Sequence, residues 1–169
     1  FGTGSGVSRP SFTYPVGDDS YYTPFTITIN TADLTSAYLD VNLDPVKHPR
    51  IEGATSYIER YWTYSPNGIS GTIDYDVSFV YDDTDIIGTE ADIRAIKISG
   101  STIVLGDASS INTATNTLTL TGQSTFSEGT GGDEGSALPV SLIYFQGTKV
   151  ENGIKLSWET ASEVNNDYF

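Results

Sequence analysis

Alternation of apolar and polar residues is the feature that most restricts how this chain can fold. Between residues 22 and 29, Phe25, Ile27 and Ile29 fall on one face while threonines fall on the other. Residues 69–81 repeat the pattern with aromatic and β-branched residues. A period of two is that of a β-strand with one buried face. The sequence therefore predicts an all-β protein.

The first 127 residues are predicted to form one antiparallel β-sandwich of Ig-like or jelly-roll-like type. Gly and Pro interrupt the apolar pattern at short intervals, and helical periodicity is hard to find. About eight or nine strand candidates precede residue 128, which is enough for two packed sheets. The period-two pattern predicts these core residues: Phe25, Ile27, Ile29, Trp62, Ile73, Val77, Phe79 and Ile93.

Residues 128–137 are Gly-rich and acidic, a composition that predicts a flexible linker. Two further strand candidates follow, Val140–Phe145 and Ile154–Trp158, with the turn signal Asn152-Gly153 between them. Two strands alone are marginally stable in water. Residues 138–169 are therefore predicted to be the start of a second, incomplete Ig-like module or a pair of strands donated to another subunit.

Both C-terminal strands carry an apolar face that has to be covered. The residues assigned to these faces, and hence to assembly, are Val140, Leu142, Tyr144, Ile154, Leu156 and Trp158. Exposed apolar surface and unpaired strand edges promote association. The rest of the module would cover them within a longer chain. Another copy would cover them by strand addition, and contacts of this kind that do not close build filaments.

Charge and composition exclude several functions. The chain has 8 Lys and Arg against 22 Asp and Glu, a net charge of −14, which disfavours binding to nucleic acid and to anionic lipid. It has no cysteine for a disulfide, a thiolate metal site or a nucleophile. No apolar run approaches the roughly 18 residues that cross a bilayer, so no membrane insertion is expected. The chain lacks methionine and begins with Phe, which predicts a processed product or part of a longer protein.

An acidic turn is the best candidate for a ligand site. It contains Asp82, Asp83, Asp85, Glu90 and Asp92. Calcium takes six to eight oxygen ligands, and closely spaced carboxylates can supply several of them. The spacing is not that of an EF-hand. The turn is either a calcium site or a solvated acidic loop, and no other cofactor is predicted.

No other group of residues favours catalysis. Asp74 and Asp76 lie on one face of a strand, where carboxylates either form a glycosidase pair or solubilise the sheet. The single histidine, His48, lies between two prolines and is predicted to be an exposed loop residue. One histidine and no cysteine cannot assemble a specific nucleophile and base. We therefore predict that the protein is not an enzyme and has no hydrolase activity.

Aromatic side chains offer a second kind of surface. Flat, amphipathic rings can stack on sugars, and they also pack routinely on sheet faces. The residues in question are Tyr14, Tyr21, Tyr22, Tyr57, Tyr61, Trp62 and Tyr64. Both readings stay open at this stage.

The tail contains two specific motifs. Residues 138–145 read L-P-V-x-L-x-x-F, and residues 152–169 read N-G-x-x-L-x-W-x-T-A-S-E-x-N-N-x-x-F. Together they resemble a recurrent segment of Bacteroidota surface and secreted proteins. Upstream segments are similar to the domain that often precedes this one: Tyr14–Gly17, Tyr22–Ile27, Arg60–Pro66, Tyr81–Asp85, Gly88–Asp92 and Phe126–Ser127. The resemblance implies an Ig-like or fibronectin-like second module and a secreted, cell-surface protein of the type IX secretion pathway.

The leading expectation is a non-enzymatic extracellular structural module of a bacterial surface protein, acting as a stalk, adhesin or filament subunit. Its expected partners are copies of itself or neighbouring domains of the same protein, with glycans as a further candidate. The alternative is a carbohydrate-binding module of a secreted enzyme, and a hydrolase domain ranks last. Shared strands would favour the first function, an exposed aromatic strip the second, and carboxylates in a cleft the third.

Overall fold

The structure is a computed structural model that describes residues 1–137, 140–150 and 153–163. The chain divides into two compact units, Phe1–Ala137 and Leu138–Phe169. Within the described residues, regular structure consists of β-strands and short 3-10 turns, without an α-helix. The predicted all-β, antiparallel sandwich class is confirmed.

The first unit contains ten antiparallel strands. They are β1 (Gly2–Tyr14), β2 (Phe25–Asp44), β3 (Tyr57–Ile58), β4 (Tyr61–Val80), β5 (Ile86–Ile87), β6 (Arg94–Ser99), β7 (Thr102–Leu105), β8 (Ile111–Asn112), β9 (Thr117–Gln123) and β10 (Glu128–Gly132). β2 and β4 pair along most of their length, with β1 on the far side of β2. The second half of β4 pairs with β9, whereas its start pairs with β10, so β4 is shared between two sets of strands.

Period-two alternation places the core as the sequence predicts. Phe25, Ile27 and Ile29 of β2 are buried, and their partners Phe79, Val77 and Tyr75 on β4 are buried opposite them. Trp62 and Ile93 are also buried, while Ile73 is partly buried against the same cluster. A smaller cluster joins the loop before β3 to β6 and contains Ile51, Ala54, Ile96 and Ile98.

The prediction of a flexible linker at 128–137 is wrong, because residues 128–132 form the buried strand β10. This strand pairs with β3, β4 and β6. A Cβ on Gly129 would overlap the Phe79 ring, lying 2.7 Å from Cε1, and a Cβ on Gly131 would lie 2.7 Å from Ile58 Cγ1. The glycines of β10 are therefore explained by close packing and not by backbone flexibility. Residues 134–137 form a 3-10 turn, and the boundary between the units follows it.

The second unit is a two-stranded antiparallel sheet of β11 (Val140–Val150) and β12 (Gly153–Glu163), longer than predicted. The predicted turn residue Asn152 lies outside the described residues.

The register of this hairpin corrects one predicted face. Phe145 lies opposite Trp158, and Gly147 lies opposite Leu156. Tyr144 lies opposite Glu159, and therefore on the other face from Leu156. The apolar face accordingly holds Phe145 where the sequence predicted Tyr144. The side chains of Val140 and Leu142, also assigned to assembly, lie outside the described residues.

Candidate functional site

The acidic turn after β4 uses its carboxylates to fold the chain. Asp82 caps a 3-10 turn at 83–85, accepting hydrogen bonds from the Thr84 amide at 2.9 Å and the Thr84 hydroxyl at 2.7 Å. These bonds stabilise the ionised form and hold the pKa of Asp82 below its usual value. Asp85 points inward and is buried. Both carboxylates therefore have partners within the protein.

The other acidic residues are also dispersed among protein partners. Asp83 accepts from Asn116 Nδ2 at 2.6 Å, and Glu90 accepts from the Tyr81 hydroxyl at 2.7 Å. Asp92 lines a separate cavity of about 350 Å³. In the part of the chain that the structure describes, no three acidic, histidine or cysteine side chains are grouped so that they could hold a metal ion. The structure therefore does not group the five predicted calcium ligands as a metal site.

A buried arginine, which sequence reasoning did not single out, organises this end of the molecule. Arg60 is 1% exposed and pairs with Asp85 through Nε and through Nη2, the latter at 2.6 Å from Asp85 Oδ1. Its Nη1 donates to Thr23 Oγ1 at 2.8 Å, and its Nη2 lies 3.2 Å from Asp18 Oδ2. A buried guanidinium requires such partners, because desolvating an unpaired charge costs several kcal/mol.

This arginine joins segments that are distant in sequence. From its position directly before β4, it bonds to the loop before β2 through Thr23 and Asp18, and to the acidic turn through Asp85. The Thr130 hydroxyl of β10 donates to the Arg60 carbonyl oxygen at 2.7 Å. Three of the segments that carry the Bacteroidota resemblance thus meet at one buried network. Their role at this point is to fix loops to the sheet.

Hydrogen bonds within the loop between β1 and β2, residues 15–24, stabilise its turn. Asp18 Oδ1 accepts hydrogen bonds from the amides of Ser20 at 2.8 Å and Tyr21 at 2.9 Å, which lower the pKa of Asp18. Gly17 pairs with Tyr22 in an isolated bridge, and a Cβ on Gly17 would overlap the Tyr21 carbonyl oxygen. Cavities of about 320 and 330 Å³ flank this loop.

The predicted aromatic platform is divided by the fold. Trp62 and Tyr64 are fully buried in the core. Tyr14, Tyr57 and Tyr61 are half-buried. Of the seven candidates, the exposed ones are Tyr21 and Tyr22.

The prediction that His48 is exposed is wrong, because its side chain is buried. Its Nδ1 accepts the Arg50 amide at 3.0 Å, so Nε2 carries the proton and faces Glu128 Oε2 at 3.2 Å. The imidazole ring packs edge-on against the Tyr61 ring, with 4.6 Å between the ring centroids. Burial lowers the pKa of His48. The histidine thus fixes the loop that precedes β3 to the start of β10.

Asp74 and Asp76 lie on the outer face of β4 and bond to different neighbours. Asp76 Oδ1 accepts from the Gly122 amide at 2.8 Å, and Asp74 Oδ1 from Asn30 Nδ2 at 3.4 Å. The surrounding face is hydroxyl-rich, with Thr28 paired opposite Asp76. None of the three described cavities includes either carboxylate among its lining residues.

Comparison with known proteins gives no match to a family model, a curated protein or a solved structure. Within the described residues, no helix is long and apolar enough to span a membrane. The fold and the buried network define an all-β antiparallel domain followed by a separate two-stranded hairpin.

Proposed function

We propose that this chain is a non-enzymatic, extracellular structural module of a bacterial surface protein. The sequence resemblance to Bacteroidota proteins of the type IX secretion pathway supports the cellular location. The all-β architecture and the acidic net charge of −14 are compatible with a solvent-facing module.

The hydrogen bonds and ion pairs of the buried polar side chains support a structural role over a catalytic one. The only histidine has both ring nitrogens engaged, one by Arg50 and one by Glu128. Both carboxylate oxygens of Asp85 accept hydrogen bonds from Arg60. These contacts give each group a structural role that accounts for its burial.

The observation that carries the proposal is the second unit. Its two strands are 11 residues each, and Phe145, Ile154 and Leu156 are 62%, 71% and 51% exposed. These three residues share one face. Phe145, Gly147 and Lys149 lie two positions apart on β11 and so point to the same side. Leu156 lies opposite Gly147 and Ile154 opposite Lys149, which places both on that side. A two-stranded sheet with such a face needs a further layer for independent stability. A neighbouring domain or a second copy would supply it.

The edge strands of the first unit are poorly suited to strand addition. β5 and β8 have two residues each and β7 has four. β1 is long, but its pairing with β2 is interrupted by four register shifts and it contains Pro10. Short, irregular or proline-bearing edges resist strand addition. Assembly through strands is therefore assigned to the hairpin.

Sedimentation velocity and electron microscopy of matched variants test this proposal. The double variant Ile154→Lys and Leu156→Lys alters the apolar face, whereas Gln146→Lys and Thr148→Lys adds the same charge to the opposite face. We expect the full chain to self-associate, the first variant to remain monomeric and the second to behave as the full chain. Identical sedimentation of all three would refute assembly through this face.

A further inference from the structure

The loop between β1 and β2 presents two aromatic rings beside open cavities. Tyr21 is 37% exposed and Tyr22 is 65% exposed. Residues 17–22 together with Pro15 line one cavity of about 330 Å³. A second cavity of about 320 Å³ lies against the same loop and extends to Glu59. Both volumes fall at the lower end of the range for small-ligand sites, about 300–1,000 Å³.

Hydrogen bonds and an ion pair within the protein hold the loop in place. The amides of Ser20 and Tyr21 donate to Asp18 Oδ1, and Arg60 Nη2 lies 3.2 Å from Asp18 Oδ2. The Trp62 indole donates to the Thr23 carbonyl oxygen at 3.2 Å and fixes the end of the loop. Buried ion pairs contribute little net stability, but they order what they join. A pre-ordered loop loses less conformational entropy when it binds.

The polar groups at the loop suit hydroxyl donors. The Asp19 carboxylate is exposed and, among the residues that the structure describes, has no hydrogen-bond or ion-pair partner. Ionised carboxylates only accept hydrogen bonds, and sugar hydroxyls donate them. Tyrosine rings supply a flat apolar face with a polar edge, which matches the apolar face and hydroxyl rim of a pyranose.

The charge of the loop selects among sugars. Asp18, Asp19, Glu59 and Asp85 surround a single cation, Arg60, in a chain with a net charge of −14. Uronic or sulfated sugars would be repelled, because like charges at close range cost free energy. A neutral glycan meets no such penalty.

We propose that residues 17–22 form a binding site for neutral glycans, in which Tyr22 stacks on a pyranose ring and Asp19 accepts its hydroxyls. This site goes beyond the structural role of the module and lies in the first unit, whereas assembly is assigned to the second. It would allow the module to hold a polysaccharide surface while its hairpin joins neighbouring domains.

Binding of the full chain to an array of neutral and acidic oligosaccharides, followed by titration calorimetry with the best neutral oligosaccharide, tests the site. Tyr22→Ala should weaken binding about tenfold or more, since it removes the stacked ring. Tyr22→Phe should retain binding, because stacking uses the ring face. Asp19→Asn should weaken binding several-fold. Tyr38→Ala, which removes a tyrosine that is 49% exposed on β2, is the matched control and should bind as the full chain does.

Three results would overturn this site: no binding to any neutral oligosaccharide, stronger binding to acidic ones, or neutral-glycan binding that survives both Tyr22→Ala and Asp19→Asn. Melting temperatures of all variants should match that of the full chain, because both side chains are exposed. Sedimentation of the same variants reports separately on assembly. Loss of glycan binding with unchanged self-association would therefore leave the structural proposal intact.

Discussion

Replacing Gly129 of β10 by alanine tests whether residues 128–132 are a packed strand or a flexible linker, because the two differ in how the added methyl group changes stability. In the structure, a Cβ on Gly129 would lie 2.7 Å from Phe79 Cε1 and 3.0 Å from Cε2. The Phe79 ring is fully buried and cannot swing away, since it packs against Phe25 at 5.5 Å and Trp62 at 5.1 Å between ring centroids. Overpacking of this kind costs about 1–3 kcal/mol.

The Gly129→Ala variant should therefore unfold at lower urea concentration than the full chain. A loss of about 1–3 kcal/mol corresponds to a fall in melting temperature of roughly 3–10 °C for a unit of this size. Fluorescence of Trp62 reports on the first unit once Trp158→Phe removes the signal of the second. If residues 128–132 were a flexible linker, alanine would instead leave stability unchanged or raise it by about 0.4–1 kcal/mol.

A double-mutant cycle with Phe79→Leu shows whether the clash is the cause. The smaller side chain makes room for the Cβ, so the double variant should be more stable than the sum of the two single losses implies. Gly147→Ala on β11, measured in the chain that keeps Trp158, is the strand control, because its Cβ would meet Ile154 and Leu156 at 3.4 and 3.5 Å, an ordinary contact distance. Strict additivity, or a neutral Gly129→Ala, would refute the packing argument.

Three further predictions concern charged groups. Asp85→Ala should cost up to about 3–5 kcal/mol in urea unfolding, because it removes both Asp85 bonds to Arg60 and leaves the buried guanidinium with Thr23 and, at 3.2 Å, Asp18. Asp83→Ala, which loses an exposed bond, should cost less than about 1 kcal/mol. Burial lowers the pKa of His48 in the folded state, so the unfolded chain binds the proton more readily. Stability should thus be full above about pH 6.5 and fall below it, and a His48→Gln variant should lose this slope. Melting curves in millimolar calcium and in chelator should coincide, and a rise of several degrees with calcium would contradict the dispersed carboxylates.

Local pattern was sufficient wherever one strand face decides burial. Phe25, Ile27 and Ile29 could be assigned to the core from sequence because a strand turns alternate side chains to opposite sides, whatever its partners are. The same logic predicted the class of fold and the existence of the two C-terminal strands. It did not predict Arg60 as the centre of a buried network, although a single arginine beside an aromatic strand was a visible signal.

Position among distant partners was decided by the tertiary structure alone. The composition of 128–132 is the same for a linker and for a strand that passes close to Phe79, and the difference lies in neighbours far away in sequence. His48 is buried where the fold brings it to Glu128, 80 positions later, and against the Tyr61 ring. In the hairpin, the uninterrupted register from Val150 to Tyr144 places Phe145 opposite Trp158 and Tyr144 opposite Glu159, on the other face. Alternation determines that a strand has two faces, but only pairing and packing determine what each face meets, because those contacts join residues that no local pattern connects.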